Sequence, residues 1–203
     1  MFIPFTNRTN RTLRSKSMAK KQLQIVVSPV ATAAYAWLAK PDEGQEYSDG
    51  KYKVTLVLDA KDKAVSEFIE DVREKSKAEA EKEWGKIPKN IRYCFKDGDD
   101  TDKEEFAGKV MITAKTKYQP GFVDAKKVPL GEEEFPASGD LVRASFALLP
   151  YKAGGNIGVT AQLRNVMLVE QRNFGGSPSN DFNDVEVQED KTDEKSKDFD
   201  INI

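Results

Sequence analysis

The chain contains no histidine, and its only cysteine is Cys94. Those two shortages remove whole reaction classes. Zinc sites of the Cys/His type, Ser-His-Asp triads and Cys-His nucleophile pairs all lack their components. Cys94 has no second thiol to pair with inside the chain, and a lone thiol suits a reducing compartment. No run of about 18 apolar residues is present, so no membrane-spanning helix is expected. The 34 acids leave a carboxylate-only Mg²⁺ site open, but no DxD-type cluster falls in a strand and loop context that would bring carboxylates together. Gly154-Gly155-Asn156-Ile157-Gly158 is glycine-rich but precedes a strand pattern, whereas phosphate-cradling loops precede a helix. No catalytic residue, cofactor or metal ligand is therefore assigned, and an enzyme is not expected.

What the chain does have is charge, and it is segregated. The formal net charge of −2 hides two opposite regions. From residue 181 onward there are nine Asp/Glu against three Lys, a net −6, which leaves +4 on the rest. This tail closes on Asp198-Phe199-Asp200-Ile201-Asn202-Ile203. An acidic tail can occupy a basic groove until a competing polyanion displaces it. Its tip, Asp198, Phe199, Asp200, Ile201 and Ile203, offers other proteins a short docking peptide; the plainer alternative is a solvated extension that keeps the protein soluble. Residues 1–17 hold Arg8, Arg11, Arg14 and Lys16 with no acid and no signal-peptide core. They are expected to be disordered, either adding phosphate contacts or serving as an upstream start, because Met18-Ala19-Lys20-Lys21 looks like a second beginning. The expected organisation is a basic extension over 1–17, one domain over 18–176 and a disordered acidic tail over 177–203. Gly175-Gly176-Ser177-Pro178 marks the last boundary.

Within the domain the dominant hydrophobic period is two, which argues strands. Residues 51–58 are the clearest case, with Tyr52, Val54, Leu56 and Leu58 on one face and Lys51, Lys53, Thr55 and Val57 on the other. One segment differs: Val65, Phe68, Ile69 and Val72 recur at i, i+3, i+4 and i+7, predicting an amphipathic helix that runs to Trp84 and ends at Gly85 and Pro88. Further strands are expected over 90–96, 108–117, 121–128, 141–149 and 157–170. The last two are joined by 150–156, read as too long for a two-residue hairpin. Many strands with one helix predict a mainly β protein, an OB-fold-like barrel capped by the helix, since closure removes exposed edges. A β-sandwich with an added helix is the competing fold.

Charge placement sharpens the functional reading. The predicted helix and the loop 97–105 carry −3 and −5, so the remaining strand-rich surface of the domain is +8. There, cations alternate with rings: Tyr35, Trp37 and Lys40; Lys51, Tyr52 and Lys53; Arg92, Tyr93 and Phe95; Lys115, Lys117 and Tyr118; Arg143 and Phe146; Tyr151 and Lys152. This is the composition needed to hold a single strand of nucleic acid without sequence preference, with cations following phosphates and rings stacking on bases. Tyr52 and Phe146, at period two, read as core. Tyr151, after Pro150 and beside a glycine-rich segment, reads as a ring held rigidly in contact with ligand. Lys109, Lys115 and Lys117 share a parity and form a basic stripe. The acidic outer face of the helix is assigned no chemistry.

Several segments taken in order carry a family likeness. Met18-Ala19-Lys20-Lys21, residues 34–44, Lys51-Tyr52-Lys53-Val54, Leu148-Leu149-Pro150-Tyr151-Lys152, Val166-Met167-Leu168-Val169-Glu170 and Phe174-Gly175-Gly176 together resemble the bacteriophage T7-type single-stranded DNA-binding proteins. The resemblance implies an OB-fold barrel with one prominent helix and a cleft for single strands. It also implies strand annealing, a homodimer, and a tail that competes with DNA and contacts the replication polymerase and helicase-primase. The expected location is the cytoplasm of an infected bacterial host. The matching positions make Lys20, Tyr151 and Lys152 the best-supported DNA contacts, with Lys109 and Arg143 supported by their charge. The full candidate set adds Tyr35, Trp37, Lys40, Lys51, Lys53, Arg92, Lys115 and Lys117. The chain departs from the family in residues 1–17, in a shorter and less acidic tail, and in ending on Ile203 where the family has an aromatic; Phe199 is the nearest ring. Two rivals stand beside this reading: a β-sandwich interaction module that binds no DNA, and a carboxylate-metal nuclease.

Overall fold

The computed structural model describes residues 23–44, 48–131 and 134–172. The unit that carries all the described regular structure ends at Gln171. The basic extension 1–17, Lys20 and the tail 177–203, including its tip residues 198–203, lie outside the described residues.

Alternation decides where the chain is extended. In β3 (Tyr52–Asp59) the residues Val54, Leu56 and Leu58 are all buried, on the parity that the period-two pattern assigns them. β3 pairs antiparallel with β2 (Ala31–Trp37) on one side and β5 (Lys109–Thr116) on the other. β5 lies parallel to β8 (Asn156–Glu170), β8 is the antiparallel partner of β7 (Leu141–Ala153), and β7 returns to β2. These five strands close a ring, the OB-fold-like barrel, and closure leaves no long edge within it. Three short strands are added outside: β1 (Ile25–Val27) on β7, β4 (Phe95–Asp97) on β5 and β6 (Gly121–Val123) on β8.

The single α-helix among the described residues, α1 (Lys63–Trp84), connects β3 to the segment leading into β4. Its start is local chemistry: Asp62 accepts a hydrogen bond from the Ala64 amide at 2.8 Å, a cap worth about 1 kcal/mol. Its stop is Gly85, whose φ of 70° is the left-handed conformation glycine adopts without steric cost. Val65, Ile69 and Val72 are buried on one face, and the Phe68 ring meets Phe146 of β7 edge-on at 6.5 Å. Burying three such side chains stabilises the docked helix by several kcal/mol, at about 1.5–3 kcal/mol each.

Three expectations are corrected. The β7–β8 connection is a two-residue turn, Gly154-Gly155, with both φ angles positive (55° and 79°) and Ala153 opposite Asn156. Pro150 therefore lies inside a strand. It is tolerated because Pro150 and Val159 form a non-hydrogen-bonded pair: the Val159 amide points away from β7 and donates to the Arg92 carbonyl at 2.8 Å. The missing Pro150 donor thus faces away from β8, at a point beyond the β1 register, which ends at Ala147. Of the expected strand 90–96, only Phe95 and Lys96 fall in β4; upstream, Arg92 bridges Gly158 of β8 alone. The expected strand 121–128 stops at Val123, because Asp124 folds the chain back by accepting from the amides of Lys126 and Val128, both at 2.8 Å.

Candidate nucleic-acid interface

β2 is interrupted by a bulge between Ala34 and Trp37, and within it Tyr35 has φ = 48°. A left-handed conformation is costly for a large side chain, by about 1–3 kcal/mol, and strain of this kind clusters at functional sites. Its result here is a ring that is 45% exposed. Lys103, from the acidic loop 97–105, donates to the Tyr35 hydroxyl and places its ammonium 4.9 Å from the ring centroid. Phe106 completes the group, with its ring centroid 6.3 Å from that of Tyr35.

A second ring enters from the segment between α1 and β4. Tyr93 and Phe95, two residues apart on an extended chain, share a face and stack at 5.2 Å with 12° between their planes. The Arg73 guanidinium of α1 lies 5.7 Å and 5.4 Å from the two ring centroids, tying the pair to the helix. The third ring is Tyr151, opposite Gly158 across the hairpin. A Cβ at position 158 would come within 2.4 Å of the Arg92 carbonyl oxygen and 3.1 Å of the Tyr151 ring. Only glycine lets the ring and the Arg92 backbone approach β8 together.

These three tyrosines open onto one groove of about 890 Å³. Lys51, Lys96, Lys103 and Lys115 line it, with the hydroxyls of Thr55, Thr113 and Thr160 between them. Asp49, Asp100 and Asp102 line it as well. Asp49 accepts a hydrogen bond from Lys115 at 2.9 Å and lies 3.6 Å from Lys51. Partial burial opposes its ionisation, but the Lys115 hydrogen bond and the charges of Lys115, Lys51 and Lys53 together hold its carboxyl below the usual aspartate value. Cys94 also lines the groove, and burial pushes its thiol up to about 12, which favours the protonated form at neutral pH.

Of the candidates read from sequence, Tyr35, Lys51, Lys115 and Tyr151 meet in this groove. The other described candidates do not line it. Trp37 is 37% exposed at the end of β2, and Lys40 is exposed just beyond. Lys53 is partly buried and bonded to Asp42. Lys109 pairs with Asp59 at 2.9 Å at the start of β5, while Lys117 falls one residue past its end, so the stripe on the strand itself is Lys109 and Lys115. Arg143 donates from Nε to the Ser28 carbonyl at 3.0 Å, a contact that holds the turn after β1. Arg92 and Lys152 are exposed, the latter two residues before the Gly154-Gly155 turn. Sequence reasoning passed over Lys96, Lys103 and Phe106. Lys103 is the lone cation in a loop with six acids, and its net charge concealed it. Tyr93 stood in the alternating pattern as a neighbour of Arg92, and it is the ring, not the cation, that reaches the groove.

Rings and ammonium groups converging on one face of a five-stranded barrel define a site suited to single strands. The profile of the family described as Enterobacter phage Enc34, ssDNA-binding protein, matches residues 23–195, and the chain belongs to this family. The single-stranded DNA-binding protein of Enterobacteria phage T3 is 29% identical over 196 residues, covering 82% of this chain and 84% of the relative. The crystal structure of gp2.5, a single-stranded DNA-binding protein encoded by bacteriophage T7, superposes with a TM-score of 0.58 at 27% identity, covering 83% of this chain and 97% of that one. The single-stranded DNA-binding protein from bacteriophage Enc34, solved in complex with ssDNA, shares the fold with a TM-score of 0.62 at 21% identity, covering 74% and 89%.

Proposed function

We propose that this protein binds single-stranded DNA without sequence preference along the groove of its barrel. The observation that carries the reading is the convergence of Tyr35, Tyr93 and Tyr151 with Lys51, Lys96, Lys103 and Lys115 on one open surface. Flat rings stack on any base, at about 1–3 kcal/mol each, and ammonium groups follow any phosphate. A duplex keeps its bases stacked inside and offers the rings nothing, so the groove discriminates by strandedness. Family membership supports the same reading.

The finer activities follow from the family and from charge. Holding complementary strands open with their bases accessible favours annealing. The net −6 of residues 181–203 makes that segment a competing anion for the groove, and its tip, Asp198-Phe199-Asp200-Ile201 with Ile203, is a docking peptide for the replication polymerase and helicase-primase. Homodimer formation belongs to the same proposal. The test is fluorescence anisotropy of equal-length single-stranded and duplex DNA, titrated with the full chain and with a chain stopped at Asn180, at two salt concentrations. Preference for the single strand, weakening by a log-log slope near −0.7 per neutralised phosphate and tightening on truncation, is the expected result. Equal binding of both DNAs with a flat salt response contradicts it and favours the interaction module.

A further inference from the structure

A second concavity, of about 300 Å³, lies beside the main groove and is lined by Thr116, Tyr118, Gln119, Gln162, Arg164 and Asn165 among others. The two are joined by strand parity. On β8 the outward positions run Thr160, Gln162, Arg164, alternating with the buried Ala161 and Leu163. Thr160 lines the main groove, while Gln162 and Arg164, roughly 7 and 13 Å further at the usual rise of a strand, line the second concavity. On β5, Lys115, which lines the main groove, stands in parallel register with Gln162, which lines the second concavity.

The chemistry of the second concavity resembles that of the first with the acids removed. Tyr118 is 79% exposed, the most exposed of the large apolar side chains among the described residues. Packing does not account for a ring so placed. Lys53, Lys109 and Lys115 are each held by an aspartate, but among the described residues no carboxylate pairs with Arg164. Among the described residues no aspartate or glutamate lines the concavity. A guanidinium that no described carboxylate neutralises, beside an exposed ring and flanked by the amides of Gln119, Gln162 and Asn165, suits a phosphate with its adjoining base.

We propose that the DNA strand continues out of the main groove along β8 into this second subsite, where Tyr118 stacks on a base and Arg164 binds the phosphate. This rests on the single-stranded DNA-binding reading above and extends it to a longer footprint. It predicts a length-dependent defect. With the full chain, Tyr118→Ala and Arg164→Gln leave binding of an oligothymidine of about 4 nucleotides unchanged, and weaken binding of one of about 16 nucleotides by roughly 5- to 100-fold. Both side chains are on the surface, and thermal denaturation is expected to show unchanged stability. Wild-type affinity of both variants for the long strand overturns the second subsite alone, while failure of the unmodified chain on every length overturns the underlying reading too. A loss that is equal at both lengths also contradicts the proposal, because it means a general disturbance. If a peptide of residues 181–203 loses binding to the variants while long DNA does not, the surface belongs to a protein segment and the proposal fails.

Discussion

The carboxylate of Asp49 and the ammonium of Lys115 lie 2.9 Å apart inside the groove, with the Lys51 ammonium 3.6 Å from the same aspartate oxygen. On the proposed reading, an anion bridging these two cations competes with a DNA phosphate for them. Asp49→Asn is therefore expected to tighten single-stranded DNA binding about 2- to 5-fold, the modest size reflecting a partly exposed pair. It is also expected to steepen the salt dependence, because freed lysines neutralise additional phosphate. Anisotropy across a salt series measures both; weaker binding would show that Asp49 positions the lysines instead of competing for them.

Tyr35 makes a prediction with two opposite signs. Its φ of 48° suits asparagine better than tyrosine, and the residue is about half exposed. Tyr35→Asn is expected to leave the melting temperature unchanged or higher while weakening DNA binding by about 1–3 kcal/mol. A fall in both would make the ring a structural element and remove it from the interface.

Tyr151 and Gly158 separate the ring from its seat. Tyr151→Ala is expected to cost about 1–3 kcal/mol of binding with little change in stability. Gly158→Ala places a methyl 2.4 Å from the Arg92 carbonyl oxygen and is expected to cost about 1–3 kcal/mol of stability by pushing the Arg92 segment off β8. Chemical denaturation beside anisotropy distinguishes the two; a fully stable Gly158→Ala chain would contradict the close approach.

Acid stability should depend on Asp42. The hydrogen bond from Lys53 holds its carboxyl below the usual 3.8, against the effect of burial and with help from the Gly44 amide. A folded-state value below the unfolded one means that the stabilisation is fully present above about pH 3.8 and is lost as pH falls through the depressed value. Asp42→Asn is expected to lower stability at neutral pH and to flatten the acid limb of a denaturation profile. A variant with the wild-type acid limb would assign the acid sensitivity elsewhere.

How much of this was legible in sequence depends on the range of each interaction. α1 was legible end to end because its signals are local: the apolar spacing of Val65, Phe68, Ile69 and Val72, and Gly85 at the stop. β3 was legible from alternation alone. The β7–β8 turn was misread because Pro150 suggests a strand end, and only the partner strand shows which way its missing donor faces. The lysine stripe looked uniform, yet Asp59 at the end of β3 and Asp49 just before it in the chain bind Lys109 and Lys115 separately. Lys103 and Phe106 were hidden in the acidic loop, because their approach to Tyr35 joins positions some 70 residues apart. Four of the candidate residues share the groove; the chain fold, not the local pattern, selects them.

The most direct test is photocrosslinking of the full chain to single-stranded DNA carrying 5-iododeoxyuridine, with the crosslinked residues mapped by mass spectrometry. The account predicts crosslinks at Tyr35, Tyr93 and Tyr151. Crosslinks confined to α1 or to β1, with none at these three rings, would contradict it.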